Sequence, residues 1–194
     1  MITIYFTSIT AVTENNIKRL LALSSISHLG FMLYGSYYMD YSFFGTKPIL
    51  YYLVSYVLTQ FLVFSILSIL SQEEPLEDLD GFRGLGWNSP VLSIILACSL
   101  LSLMGLPPLA GFFSKYLIFT IVVQKQSVLI AALMILSTVI AAYYYLKLFT
   151  NMYFFPLQVE RTYILNRNSK IVLGISFIIL LLIGIQPDLL LAFC

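Results

Sequence analysis

The sequence predicts an all-α fold, a polytopic transmembrane helix bundle. Hydrophobic residues make up 60% of the 194 residues, charged residues only 10%, and the mean hydropathy is +0.94, all far from the usage of soluble domains. Several uncharged runs exceed the roughly 18 residues that indicate a membrane-spanning helix. These observations predict one transmembrane domain, residues 1–194, with about five full spans plus an N-terminal half-helix.

Charged residues and turns mark the ends of the spans. Residues 1–13 carry no charge but reach only about 20 Å as a helix, which predicts the half-helix. In the segment that follows the second span, Leu76, Leu79 and Phe82 recur every three residues, which favours a short helix at the membrane surface. The full spans are predicted at 20–39, 48–72, 91–124, 126–147 and 171–186, with loops at 73–90 and 148–170.

Basic residues are unevenly shared between the two ends of the predicted bundle. We call the end that holds Lys18 side one; the alternation of spans then leaves only Lys47 and Lys125 on side two. The side-one set is Lys18, Arg19, Arg83, Lys147, Arg161, Arg167 and Lys170. Because basic loops stay inside, side one is predicted to face the cytoplasm or the mitochondrial matrix, with the C-terminus on the outer side.

The span at 91–124 contains a helix break followed by one lysine. A straight helix of this length would measure about 51 Å, too long for an apolar slab of about 30 Å, and Gly105, Pro107 and Pro108 allow a break. The two prolines remove two backbone donors, so the freed carbonyls need water or neighbouring helices as partners. Lys115 lies ten residues before Lys125, about 15 Å along a helix, which predicts a position near the bilayer midplane.

Two residues inside the predicted spans are candidates for proton transfer. A mid-membrane lysine costs about 2.5–3.5 kcal/mol and is functional by default, although Lys115 could instead snorkel to an interface. His28 could relay protons, because an imidazole changes protonation near neutral pH, or it could be a hydrogen-bonded packing residue. Lys147 is most simply a boundary anchor, although two turns of helix could carry its ammonium inward.

Other chemistries find little support in the sequence. Gly81, Gly84 and Gly86 have the wrong spacing for a dinucleotide-binding turn. Cys98 and Cys194 are too few and too distant for an iron–sulfur ligand set or a disulfide framework. One histidine gives no metal cluster, and a net charge of +1 does not favour a nucleic-acid partner. We therefore expect no cofactor and no metal in this chain.

Three blocks of sequence resemble one known family. NIKRLLALSSISHLG at 16–30 resembles the N-x-K-R-L-L-A-Y-S-S-I-x-H-x-G segment of the antiporter-like subunits of respiratory complex I, NADH:ubiquinone oxidoreductase. GLPPLAGFFSK at 105–115 and AAYYYLK at 141–147 are similar to G-[IL]-P-P-L-A-G-F-F-x-K and A-x-Y-Y-Y-L-[RK] of the chain 2 branch of that family. Ser114 in place of glycine and Leu23 in place of tyrosine are small departures.

The resemblance implies a fold and a mechanism. The fold would be the second half of an inverted-repeat, antiporter-like subunit, from the end of its ninth helix to its fourteenth. Lys115 would be the output-side proton-holding group and His28 a relay. NADH, flavin, iron–sulfur clusters and ubiquinone would be bound by other subunits of the complex.

The resemblance also implies partners and a location. The first repeat has no counterpart in this sequence, so a split subunit is expected, completed by a separate chain that carries the N-terminal helices. Further partners would be neighbouring membrane-arm subunits and membrane lipids, and the location the mitochondrial inner membrane, with the C-terminus on the intermembrane side. Two other hypotheses stay open: a subunit of a multi-chain cation/proton antiporter, and a structural scaffold without proton transfer.

Overall fold

The computed structural model describes residues 1–39, 43–72, 77–125, 127–156 and 167–193, with residues 43–45, 192 and 193 described by their backbone alone. Helices dominate the described residues, which confirms the predicted all-α class. They are α1 (Ile2–Thr13), α2 (Ile17–Tyr38), α3 (Phe43–Leu70), α4 (Leu85–Asn88), α5 (Pro90–Met104), α6 (Ala110–Gln124), α7 (Val128–Phe154), α8 (Arg167–Ile185) and α9 (Pro187–Phe193), with a 3-10 turn at Leu79–Phe82 before α4.

Helix length and polarity decide which helices could cross a membrane unaided. Among the described residues, 46–70 of α3, all of α7 and all of α8 are long and apolar enough to do so. The helices α1, α5 and α6 are apolar but shorter. Helix α2 has 22 residues, but its buried face includes Ser24, Ser27 and His28, which lowers its hydropathy. The difference from the five predicted spans thus comes from the helix break and from this polar face.

The ends of two predicted spans differ from the structure. Helix α7 continues to Phe154, so the loop predicted to begin at residue 148 begins later; residues 157–166, including Arg161, lie outside the described residues. The extension is stabilised by packing, since Leu148 and Met152 are fully buried and Asn151 donates a hydrogen bond to the Leu79 carbonyl at 3.1 Å. A further helix, α9, begins at Pro187, where the sequence analysis placed only the end of a span.

A short surface helix was predicted around residues 76–82. The structure has a 3-10 turn at Leu79–Phe82, but the predicted position of its apolar residues at the membrane surface is wrong. Leu79 and Phe82 are 2% and 1% exposed and belong to the main hydrophobic core, while Leu76 lies outside the described residues. The segment binds the start of α2 through its backbone: Ile17 donates to the Glu77 carbonyl at 2.8 Å, and Leu79 donates to the Asn15 carbonyl at 2.9 Å. These apolar side chains therefore face the bundle, where the sequence pattern had suggested lipid.

Both halves of the broken helix pack against several other helices of the bundle. Helix α5 packs against α3 and α7, and α6 packs against α2, α3, α7 and α8. Helix α1 packs mainly against α2 and α7. The connection between α5 and α6 is open on one side, since Leu106, Pro107 and Pro108 are exposed.

The last turn of helix α8 contains a carbonyl group, that of Ile183, whose usual hydrogen-bond donor is missing. The Ile183 carbonyl would normally accept from the residue four positions later, which is Pro187 and has no N–H. Tyr51, fully buried on α3, supplies the donor: its hydroxyl bonds this carbonyl at 2.9 Å. The tyrosine thereby joins the end of α8 to α3 near the helix break.

Replacing Tyr51 with Phe is expected to lower the free energy of unfolding by about 1–3 kcal/mol, because a buried carbonyl loses its partner. Thermal unfolding of the assembled protein in detergent measures the loss. Tyr143→Phe is the matched control, since Tyr143 is 59% exposed on α7. Equal thermal stability of the two variants would contradict the prediction.

Candidate functional site

The first half of the broken helix ends in a regular C-terminal cap. Gly105 takes a left-handed conformation with φ +90°, which glycine adopts without steric cost. Its N–H bonds the Ser102 carbonyl at 3.0 Å, and the Leu106 N–H bonds the Leu101 carbonyl at 3.1 Å, the pair of bonds that defines a Schellman motif. Two carbonyls of the last turn, those of Leu103 and Met104, remain to be satisfied.

Lys115 satisfies these two carbonyls. In a continuous helix Leu103 and Met104 would accept from residues 107 and 108, but both are prolines and have no N–H. The Lys115 ammonium donates to the Leu103 carbonyl at 2.8 Å and to the Met104 carbonyl at 2.9 Å. The sequence analysis predicted that the freed carbonyls need partners, and the structure provides the lysine itself.

The side chain of Lys115 points back along α6 into the bundle. Long side chains on a helix lean toward its N-terminus, which here directs Nζ at the C-terminal end of α5, where partial negative charge favours a cation. Lys115 is 6% exposed, and its Nζ lies 5.8 Å from the centre of the Phe31 ring. This arrangement differs from snorkelling, in which the ammonium would reach the outer surface of the protein.

The second half of the helix begins against the first. Gly111 donates its N–H to the Ser102 hydroxyl at 3.1 Å, so a side chain of α5 caps the N-terminus of α6. A Cβ at residue 111 would lie 1.7 Å from the Ser102 carbonyl oxygen and 2.7 Å from its carbon. Only glycine therefore lets the two half-helices approach closely enough to place Lys115 beside the carbonyls of α5.

His28 lies in a buried cluster of hydroxyl groups. Its Nδ1 is 2.8 Å from the Tyr52 hydroxyl and its Nε2 is 3.5 Å from the Tyr145 hydroxyl, and the His28 side chain is 6% exposed. Tyr145 in turn is hydrogen-bonded to the Ser24 hydroxyl. Both ring nitrogens thus face groups that can donate or accept a proton, an arrangement compatible with a relay and with a packing histidine.

A small cavity of about 10 Å³ separates the histidine cluster from the helix break. His28 and Tyr52 form one side of it, and Leu103, whose carbonyl binds Lys115, forms another. Ser55 and Ser114 also line it, and their hydroxyls lie 2.5 Å apart. His28 therefore lines this cavity, whereas Lys115 lies behind its wall and is joined to it through the Leu103 carbonyl.

Lys147 takes a different position. Its ammonium donates to the Asn15 side-chain oxygen at 2.9 Å, near the end of α1. Cys98 is a free, half-buried thiol, and Cys194 lies outside the described residues. Within the described part of the chain no group of three or more His, Cys, Asp or Glu residues is placed to hold a metal ion.

The sequence analysis missed four groups at the site: Tyr52, Ser55 and Tyr145, which it did not single out, and Ser114, which it noted only as a departure. One signal was available for two of them. Tyr52 and Ser55, followed by Thr59, recur three and four residues apart on an otherwise apolar span, which puts them on one helix face. Polar groups in such a stripe face the protein interior of a membrane bundle.

The fold and this geometry define a multi-pass membrane protein built around a discontinuous helix that holds a buried lysine. Residues 1–141 match the family model "NADH:quinone oxidoreductase/Mrp antiporter, TM". The chain belongs to this family.

Curated relatives with similar sequences are bacterial proteins named NADH-quinone oxidoreductase subunit N. The protein of Pelagibacter ubique is 41% identical over 150 residues, covering 77% of this chain and 31% of the relative. That of Chlorobium chlorochromatii is 40% identical over 148 residues, covering 75% and 28%, and that of Roseiflexus castenholzii is 30% identical over 194 residues, covering 97% and 36%. The chain thus spans about a third of the length of these relatives.

Solved structures show the same helix arrangement. A chain of respiratory complex I from Thermus thermophilus superposes with a TM-score of 0.82 at 30% identity, over 98% of this chain and 43% of that chain. A chain of the Mrp complex from Dietzia superposes with a TM-score of 0.79 at 19% identity, over 97% and 43%. The second likeness concerns the fold alone.

Proposed function

We propose that this chain provides a proton-transferring half-channel of a membrane-arm subunit in an NADH:quinone oxidoreductase, with Lys115 as the proton-holding group and His28 as a relay. The observation that carries the proposal is the pair of hydrogen bonds from Lys115 Nζ to the two carbonyls at the helix break. Electron transfer from NADH through flavin and iron–sulfur clusters to ubiquinone belongs to other subunits in this proposal. The chain itself contributes proton transfer alone.

The hydrogen bonds of Lys115 suit a group that gains and loses a proton. An ammonium has three N–H donors, and a neutral amine has two donors and one lone pair. Both states keep the two bonds to Leu103 and Met104, so the third position on nitrogen decides the protonation state. A proton arriving at that position converts the amine to the ammonium without rearranging the helix break.

Proton transfer at Lys115 would be driven by quinone reduction at a distant site. Quinone reduction elsewhere in the complex would change the hydration or the electrostatic environment of Lys115, since a buried charge depends strongly on its surroundings. In the proposed orientation Lys115 lies near the bilayer midplane, releases its proton toward side two, and receives it from the direction of His28. We place the complex in the mitochondrial inner membrane, with the C-terminus on the intermembrane side.

The input side of the half-channel is not formed by the residues that the structure describes. About two thirds of the length of the curated relatives has no counterpart in these 194 residues, and in this proposal the input side belongs to helices of that kind. Neighbouring antiporter-like subunits complete the membrane arm.

Purification of the assembled complex tests the proposal. We expect mass analysis to identify flavin and iron–sulfur subunits together with other membrane-arm subunits. Recovery with other membrane subunits alone would favour the cation/proton antiporter, which the description of the matching family also names.

A further inference from the structure

A groove of about 570 Å³ lies between the end of α3 and the start of α8. The two helices pack against each other, and the predicted topology puts these two ends on side one. Residues of α3 that line the groove recur every three or four positions, so they share one face of the helix. They include Phe61, Phe64, Ser65, Ser68 and Gln72. The groove therefore opens at the side-one surface of the predicted membrane.

The deeper part of the groove is apolar. Phe61, Phe64 and Val172 line it and are 45%, 49% and 47% exposed. Phe61 lies nine residues before the end of α3 at Leu70, about 14 Å along the helix, and therefore well inside an apolar slab of about 30 Å. A hydrocarbon chain that runs down the groove would cover these exposed apolar side chains.

The upper part of the groove carries polar side chains that make no hydrogen bond with another described residue. They are Ser65, Ser68, Gln72, Asn168 and Ser169. Several serines in other helices instead bond the carbonyl four residues earlier, as Ser25, Ser99 and Ser114 do. Because a polar group in an apolar environment needs a partner, the hydroxyls and amides of the groove favour a ligand that is polar at one end and apolar at the other.

Two basic residues accompany the polar end of the groove. Arg167 and Lys170 lie in the first turn of α8, which contains no acid, and both are exposed. Long basic side chains reach along a protein surface while their charged ends stay in water, which suits contact with a lipid headgroup. The sequence after α3 continues with the acids Glu73 and Glu74, so a headgroup without net charge is favoured over an anionic one.

We propose that this groove binds one phospholipid of the side-one leaflet, with a zwitterionic headgroup of the phosphatidylethanolamine type. The phosphate lies at the start of α8, and one acyl chain lies along Phe61, Phe64 and Val172. The amides of Gln72 and Asn168 contain both donors and acceptors, so they can bond the phosphate oxygens as well as the ammonium. The lipid takes no part in the proposed proton transfer, so the two proposals are tested separately.

A phosphatidylethanolamine with a photoreactive diazirine in one acyl chain tests the site. The assembled complex is reconstituted in phosphatidylcholine vesicles that contain a small fraction of this probe and is irradiated, and labelled peptides are identified by mass. Label at Phe64 should exceed label at Ile178, which is 56% exposed on α8 but does not line the groove. Unlabelled phosphatidylethanolamine should compete for Phe64, whereas further phosphatidylcholine, whose headgroup has no N–H donor, should not.

A variant of the groove wall tests the acyl contact. Ser65→Leu places an apolar side chain in the groove and should lower the label at Phe64 to the level of Ile178. Ser36→Leu is the matched control, because Ser36 lies on α2 outside the groove, and it should leave the label unchanged. Should Ser65→Leu fail to assemble, the competition in the native complex decides the question.

A charge reversal tests the headgroup contact. Lys170→Glu should raise the concentration of phosphatidylethanolamine that halves the label about fivefold, the equivalent of about 1 kcal/mol for a lost hydrogen bond to phosphate. Lys125→Glu, at the predicted side-two end of α6, should leave this concentration unchanged.

Three results would overturn the inference. Equal label at Phe64 and Ile178 in the native complex would mean that the groove holds only exchanging lipid. Absence of label at Phe64 would mean that a helix of a partner subunit covers the groove. Stronger competition by phosphatidylglycerol than by phosphatidylethanolamine would contradict the zwitterionic headgroup.

Discussion

Replacing Lys115 with Met is expected to abolish the proton translocation that passes through this subunit. Met has a similar length but no ionisable group, so the position can no longer hold a proton. The Leu103 and Met104 carbonyls also lose their donor, at a cost of about 1–3 kcal/mol each. The measurement is the number of protons translocated per electron by the assembled complex in sealed vesicles, compared at equal complex content.

Two further variants separate proton holding from structural support. Lys115→Arg keeps a positive charge and several donors, but arginine stays protonated in proteins, so it should retain assembly and still lose translocation. Lys125→Met, at the exposed end of α6, should behave as the native protein. If Lys115→Arg translocated protons normally, Lys115 would serve only to hold the helix break together, as the scaffold hypothesis requires.

Local sequence features predicted the helix break and its lysine. Proline fixes φ and has no N–H wherever it occurs, and glycine can take the left-handed conformation that ends a helix. Gly105, Pro107 and Pro108 therefore allowed the interruption of the span to be predicted without knowledge of its neighbours. The prolines also showed which carbonyls would lack donors. That Lys115 would supply the donors follows from a separation of 11 or 12 residues across a turn, whose direction the sequence does not specify.

Contacts between distant helices could not be predicted in the same way. His28 meets Tyr52 and Tyr145, which are 24 and 117 residues away in sequence, so its partners depend on how α3 and α7 pack. The segment at 73–90, predicted as a loop, also makes contacts that its own sequence does not specify. The spacing of Leu79 and Phe82 indicated an apolar face, and tertiary packing decided that this face meets protein.

Replacing Gly111 with Ala is expected to destabilise the packing of α5 against α6 and, as a consequence, to impair proton transfer at Lys115. The added Cβ would lie 1.7 Å from the Ser102 carbonyl oxygen, and this atom belongs to the backbone of α5, which cannot rotate away. The half-helices must separate, which moves Lys115 Nζ from its two carbonyl acceptors. We expect a loss of stability above about 3 kcal/mol, in the range of severe overpacking, and a strong fall in the yield of assembled complex.

Gly174→Ala provides the matched control for this prediction. Gly174 also lies in a helix, α8, but a Cβ there would meet no atom within 4 Å. Because Ala is the better helix former by about 1 kcal/mol, this variant should assemble at least as well as the native chain. Complex yield and thermal unfolding measure both variants. Native stability in Gly111→Ala would mean that α5 and α6 can move apart freely, and the close approach at Ser102 would then not be what positions Lys115.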